Sequence, residues 1–138
     1  MPDQPLRFIL GAILLVHGLG HIGPVGAYLW LRRRPDTDTS GWTAARSWLM
    51  PGLSPAAATV VASLFWVFAV VGFVVAAFSF WGILPVDWWT TAAVASAIVS
   101  LTGIVAFLGT WPAFNTVAAI VVNIGALVVA VRQPWSAP

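Results

Sequence analysis

The chain has 138 residues, of which 60% are hydrophobic and 7% charged, with six arginines against four aspartates and a formal net charge of +2. Soluble domains carry about 25% charged residues, so a soluble globular fold and a disordered chain are excluded, and six arginines make no basic groove for nucleic acid. The absence of cysteine removes disulfides, thiolate metal sites, Cys-anchored iron–sulfur clusters and cysteine catalysis.

The positions of the charges say more than their number. Residues 8–31, 47–86 and 88–131 are uncharged runs of 24, 40 and 44 residues. A membrane-spanning helix needs about 20 apolar residues, so these runs hold four spans. The first span is 8–31, retained rather than cleaved, because its apolar run is too long for a signal-peptide core and ends without a small-residue cleavage site. It is closed by Arg32-Arg33-Arg34-Pro35. A polar loop, 32–59, follows. Within it Trp42, Ala45, Arg46 and Leu49 share a side at helical spacing, the pattern of a short interfacial helix, and Pro51-Gly52 and Ser54-Pro55 break the chain.

The second span is 60–84, ended by Pro85; the third is 88–110, followed by Trp111-Pro112; the fourth is 113–131, closed by Arg132. Backbone groups in lipid must be bonded internally, so the spans are helices and the fold class is all-α, an integral membrane four-helix bundle in one domain, 1–138. Val-rich runs such as Val60-Val61 do not argue for strands, because no segment alternates polar and apolar residues as a membrane barrel requires. Eight of the nine tryptophans fall at predicted interfaces and only Trp66 lies inside a span, as the preference of indole for the headgroup level predicts. Loop 32–59 carries four arginines and the opposite side two, so the positive-inside rule puts that loop in the cytoplasm.

The sharpest local feature is His17-Gly18-Leu19-Gly20-His21, followed by Gly23-Pro24. The only two histidines lie at i and i+4 near the middle of the first span, on one helix face. Polar groups at membrane mid-depth are expensive and point into the bundle. Pro24 has no N–H for the Gly20 carbonyl, which frees an acceptor beside the pair, and Gly18, Gly20 and Gly23 allow a helix or flat ligand to approach. Three functional readings stand: a metal ion, a haem or chlorin on one histidine, or proton relay and the holding of a polar ligand such as a quinone head. Two imidazoles leave a tetrahedral metal two ligands short, and no aspartate lies at mid-depth, so no metal site is expected. Axial ligands approach a haem from opposite faces, so a bis-His haem needs a dimer. The plain alternative is that both imidazoles hydrogen-bond to neighbouring helices. Asn123, near the middle of the fourth span with Ala119, Ala126 and Ala130 on its face, is the best partner for His17 or His21. Ser96, Ser100 and Gly103 form a small-residue seam on the third span. The aromatic residues of the second span, among them Trp66 and Phe73, cover more than one face and read as lipid and neighbour contacts rather than a cofactor box.

Arg7-x-x-Leu10-Gly11 followed by His17-Gly18-x-x-His21 resembles the first helix of small DoxX-like bacterial membrane proteins. It is closer still to four-span bacterial membrane proteins with an HG-x-x-H first helix, whose outline is matched by Trp66-x-x-Ala69-x-x-x-Phe73, Trp88-Trp89, Trp111 and Thr116. That outline has an asparagine where this chain has Ala119, with Asn123 one helical turn later. The resemblance implies a four-helix membrane bundle and, through relatives in membrane quinone oxidoreductases, a redox component contacting quinone or haem. The residues themselves point first to an accessory or ligand-binding bundle with candidate site residues His17, His21, Gly18, Gly20 and Asn123. Its partners would be membrane lipid and either a second copy or a larger membrane complex. A small dimeric transporter ranks third, because no mid-membrane carboxylate is present to couple protons.

Overall fold

The computed structural model describes residues 3–23, 26 and 45–132. Among these the secondary structure is entirely helical: α1 Gln4–Gly20, α2 Pro55–Phe80, α3 Trp88–Ala106 and α4 Ala113–Arg132. Helices α2, α3 and α4, of 26, 19 and 20 residues, are long and apolar enough to cross a membrane; α1 is a shorter apolar helix. The Val-rich runs are helical, Val60-Val61 in α2 and Val128-Val129 in α4. Arg32–Arg34, Trp30, Trp42, Trp135, Pro24 and most of 24–31 lie outside the described residues.

Each boundary has a local cause, and several differ from the sequence expectation. Helix α1 starts at Gln4 rather than 8 because Asp3 caps it, accepting from the Leu6 N–H at 3.2 Å, with a proline in the first turn. Helix α2 starts at Pro55 rather than 60. Ser54 accepts from the Ala57 N–H at 3.2 Å and Pro55 occupies the first turn, so Ser54-Pro55 is a helix start and not a chain break. It ends at Phe80, not 84. Gly82 takes φ +77°, its N–H bonds the Ser79 carbonyl and the Ile83 N–H bonds the Phe78 carbonyl, the two bonds of a Schellman cap. Pro85 lies beyond a helix that Gly82 has already closed. Helix α3 stops at Ala106 instead of 110, in a turn through Gly109 at φ +82°. The expected interfacial helix is absent from its described part: residues 45–50 are non-helical, with Ala45 and Ser47 buried. There the Trp48 indole donates to the Val105 carbonyl, one of the acceptors left open at the end of α3.

Helix α2 packs against both α1 and α3, and α3 packs against α4, whereas α1 and α4 barely meet. The central contact uses one face of α2, Ala62-Trp66-Ala69-Phe73-Ala76-Phe80, all buried and alternating small with large at spacings of four and three. One core cluster joins Leu14, Phe73, Phe80, Trp89 and alanines of α2, α3 and α4. A second, at the other end, joins Ala45, Ala58, Ala62, Ala106 and Phe107. Trp89, in the first turn of α3, is turned into the bundle: it is buried and meets Phe80 edge-on, 5.0 Å between centroids.

The N-terminus of α1 is fastened to the C-terminus of α2. Arg7 donates from Nε and Nη2 to the Phe80 carbonyl at 3.0 and 2.9 Å, a cation on a helix C-terminus. Trp81 stacks on Phe8 and donates to its carbonyl at 3.3 Å. A side chain at Gly11 would run into the Trp81 indole. The Arg7 to Gly11 part of the motif thus has a packing role.

Candidate functional site: the His17–His21 cleft

His17 falls in the last turn of α1 and His21 is its C-cap; residues 22, 23 and 26 are helical again, and the remainder of the expected span 8–31 lies outside the described residues. Measured against the other helices the pair is nonetheless central, level with Asn123 in α4, Ser100 in α3, and Trp66 and Phe73 in α2. His17 Nε2 lies 3.2 Å from Asn123 Oδ1. Asn123 Nδ2 donates to Ser100 Oγ at 2.8 Å. Ser100 Oγ lies 3.2 Å from His21 Nε2. The rings of His17 and His21 meet edge-to-face at 4.9 Å, which closes the circuit. Three helices are tied by this circuit, and Asn123 and Ser100 are both wholly buried within it.

Ser100 behaves unlike four other helix hydroxyls. Thr59, Ser96, Thr102 and Thr116 each bond the carbonyl four residues back in their own helix or its cap, the usual solution for a hydroxyl in apolar surroundings. Ser100 makes its bonds instead to Asn123 and His21.

Below the rings lies an aromatic floor. His21 stacks flat on Trp66, 5.5 Å between centroids with 3° between planes, and His17 meets Phe73 edge-on at 4.8 Å. Trp66 in turn meets Trp111 at 5.2 Å, and its Nε1 is buried with no hydrogen-bond partner among the described residues. Gly103 makes room for this platform: a side chain there would press on Phe65 and on the Trp66 ring at 2.9 and 3.1 Å. Trp66 and Phe73 are thus site residues, where the sequence reading had them as general lipid and neighbour contacts. The signal was the small–large alternation of the α2 face and the fact that Trp66 is the one tryptophan far from a helix end.

The gap between α1 and α4 is a cavity of about 690 Å³. It runs along α1 from Phe8 to His21, about 20 Å at 1.5 Å per residue. Its walls are apolar for most of that length, Ile13, Val16 and Phe114 among them, and no charged residue lines it among the described residues. Among the described residues the polar side chains on its walls are His17, His21, Asn115 and Thr116, beside the indoles of Trp66 and Trp111. Nδ1 of neither histidine has a hydrogen-bond partner among the described residues.

The five sequence-selected residues divide. His17, His21 and Asn123 come together as described. Gly18 is the close-approach glycine: a Cβ there would meet Phe73 Cβ at 2.8 Å. Gly20 is not, and neither is Gly23, since nothing lies within 4 Å of a Cβ at either; Gly20 instead lines the cavity. Of the two approaches expected, that of a helix is seen at Gly18, whose side of α1 faces α2, while Gly20 borders open space in the cleft, on the side a flat ligand would use. No group of three histidine, cysteine or carboxylate side chains able to hold a metal occurs among the described residues. A haem iron would find both Nε2 atoms already engaged by Asn123 and Ser100, so the donor set does not suit axial ligation without breaking the circuit.

Comparison with family models, curated proteins and solved structures finds no match to this chain.

Proposed function

We propose that the chain is a four-helix integral membrane bundle, DoxX-like in outline, that holds a neutral lipophilic molecule between α1 and α4 with its polar head at His17 and His21. The observation that carries this reading is a largely apolar cleft, with no charged residue on its walls among those described, that is lined by two hydrogen-bonded histidines whose Nδ1 atoms have no partner among the described residues. Its size, about 690 Å³, lies within the range of small-molecule sites. Large apolar side chains exposed away from the cleft, such as Val60, Phe68, Val71 and Val121, suit a lipid surround. A bacterial inner membrane is the proposed location, with the Arg46 side in the cytoplasm by the count of basic residues. A redox component that receives a quinone head at the pair is one case of this reading.

The test is to fill the cleft. Ala119 lines it from α4, and Ala119→Trp would occupy it without touching the hydrogen-bond circuit. Organic extraction and mass spectrometry of purified wild-type protein should return a neutral lipophile in near-stoichiometric amount, and the variant should lose it while keeping its helical circular dichroism. Equal recovery from both proteins would overturn the reading, as would a wild-type protein that releases no lipophile and takes none up.

A further inference from the structure

We propose that the Asn123–Ser100 bridge locks the two histidines in opposite tautomers, so that the cleft selects a head group that both donates and accepts, an alcohol or phenol hydroxyl. This rests on the cleft being a ligand site, as just proposed, but it follows from the geometry of four side chains.

The argument is a count of hydrogens. The Asn123 oxygen faces His17, so His17 must carry its proton on Nε2 to bond it, which leaves a lone pair on Nδ1. The Asn123 nitrogen donates to Ser100 Oγ. Ser100 makes no bond to its own helix backbone, and the acceptor within reach of its hydroxyl hydrogen is His21 Nε2. His21 therefore accepts on Nε2 and carries its proton on Nδ1. Exchanging the amide oxygen and nitrogen of Asn123 reverses every donor and acceptor along the chain. The two rings then exchange tautomers and remain opposite. In either sense one Nδ1 is a donor and the other an acceptor. With centroids 4.9 Å apart, one small head group spans both.

A hydroxyl satisfies both nitrogens at once. An ether, ketone or quinone accepts only and leaves the second nitrogen without a partner, which is costly in an apolar site. Among the described residues none that lines the cleft is charged, so they offer no counter-charge to a phosphate or carboxylate head.

Two measurements test this. The chain contains only two histidines, so protein labelled with ¹⁵N-histidine and freed of any affinity tag gives two ring systems in a long-range ¹H–¹⁵N correlation spectrum near neutral pH. One should show the Nε2–H pattern and the other the Nδ1–H pattern. Two rings of the same tautomer, or an imidazolium, would overturn the proposal. Ser100→Ala should release the second ring to the same Nε2–H form as the first; the wild-type spectrum decides alone should that variant fail to fold. The second measurement titrates the full chain with 1-tetradecanol, its methyl ether and tetradecane by native mass spectrometry. The alcohol should bind on the order of tenfold more tightly than the ether. Equal binding of alcohol and ether would sink the tautomer selection and leave the cleft reading standing. Failure of all three to bind would remove both.

Discussion

Asn123 has two partners on two helices, the half-buried His17 on α1 and the buried Ser100 on α3. Replacing it with leucine, close in volume but apolar, leaves both partners without their bonds in a wholly buried position. The expected loss is about 2–4 kcal/mol, a cost of about 1–2 kcal/mol for each stranded group, measured by reversible unfolding in mixed micelles. A double-mutant cycle of Asn123→Leu with His17→Phe should show a coupling of at least about 0.5 kcal/mol. Strict additivity would mean that the 3.2 Å contact contributes nothing. His17, His21 and Asn123 were legible in the sequence because strongly polar residues inside an apolar run are few and conspicuous. Ser100 was seen only as a small residue in a seam. Nothing in a serine's spacing says whether its hydroxyl turns back to its own helix or across to another.

At the scale of the helices, α1 gives a paired comparison. Gly18→Ala drives a methyl against Phe73 Cβ, an atom fixed to the α2 backbone, and should cost about 1–3 kcal/mol. Gly20→Ala adds a methyl into open space and should be neutral or stabilising by about 0.5 kcal/mol through helix propensity. Thermal unfolding of the two variants should move in opposite directions, and an equal loss from both would show that α1 does not sit against α2 as described. Arg7→Ala removes both donors from the Phe80 carbonyl. It should destabilise by about 1–2 kcal/mol, less than for a fully buried charged bond because the site is partly exposed. Arg7→Lys should restore only part of this, since an ammonium cannot reproduce the fork. Hydrogen exchange at Ile83 and Gly82, whose amides belong to the same helix end, would report the loosening. The helix ends illustrate what a sequence reading finds and misses. Prolines drew attention as breakers, but Pro55 begins a helix under its Ser54 cap, and Gly82 rather than Pro85 ends one.

For the molecule as a whole, the helix order puts the 81–87 turn at the opposite end from residues 45–54 and the 107–112 turn. If the bundle spans the inner membrane with its Arg46 side inward, Ile83→Cys should react with an impermeant maleimide in intact spheroplasts, while Gly52→Cys should react only after lysis. Both positions are exposed, and the chain has no native cysteine to confuse the labelling. The reverse pattern would invert the orientation, and labelling of both in intact cells would refute the spanning arrangement.

Charge placement alone determined that the chain is helical and apolar, with segments long enough to cross a bilayer, because an uncharged run of 40 residues has few other ways to satisfy its backbone. The i, i+4 spacing determined that the histidines share a face, since that follows from helix geometry. Only the tertiary structure decided that α1 leans on α2 and leaves α4, opening the cleft. Only it placed Trp66 under His21 and routed the Ser100 hydroxyl away from its own helix. Those outcomes depend on which faces of different helices meet. That is settled by the fit of Gly18 to Phe73 and of Gly103 to Trp66, contacts between residues distant in the chain that no local pattern records.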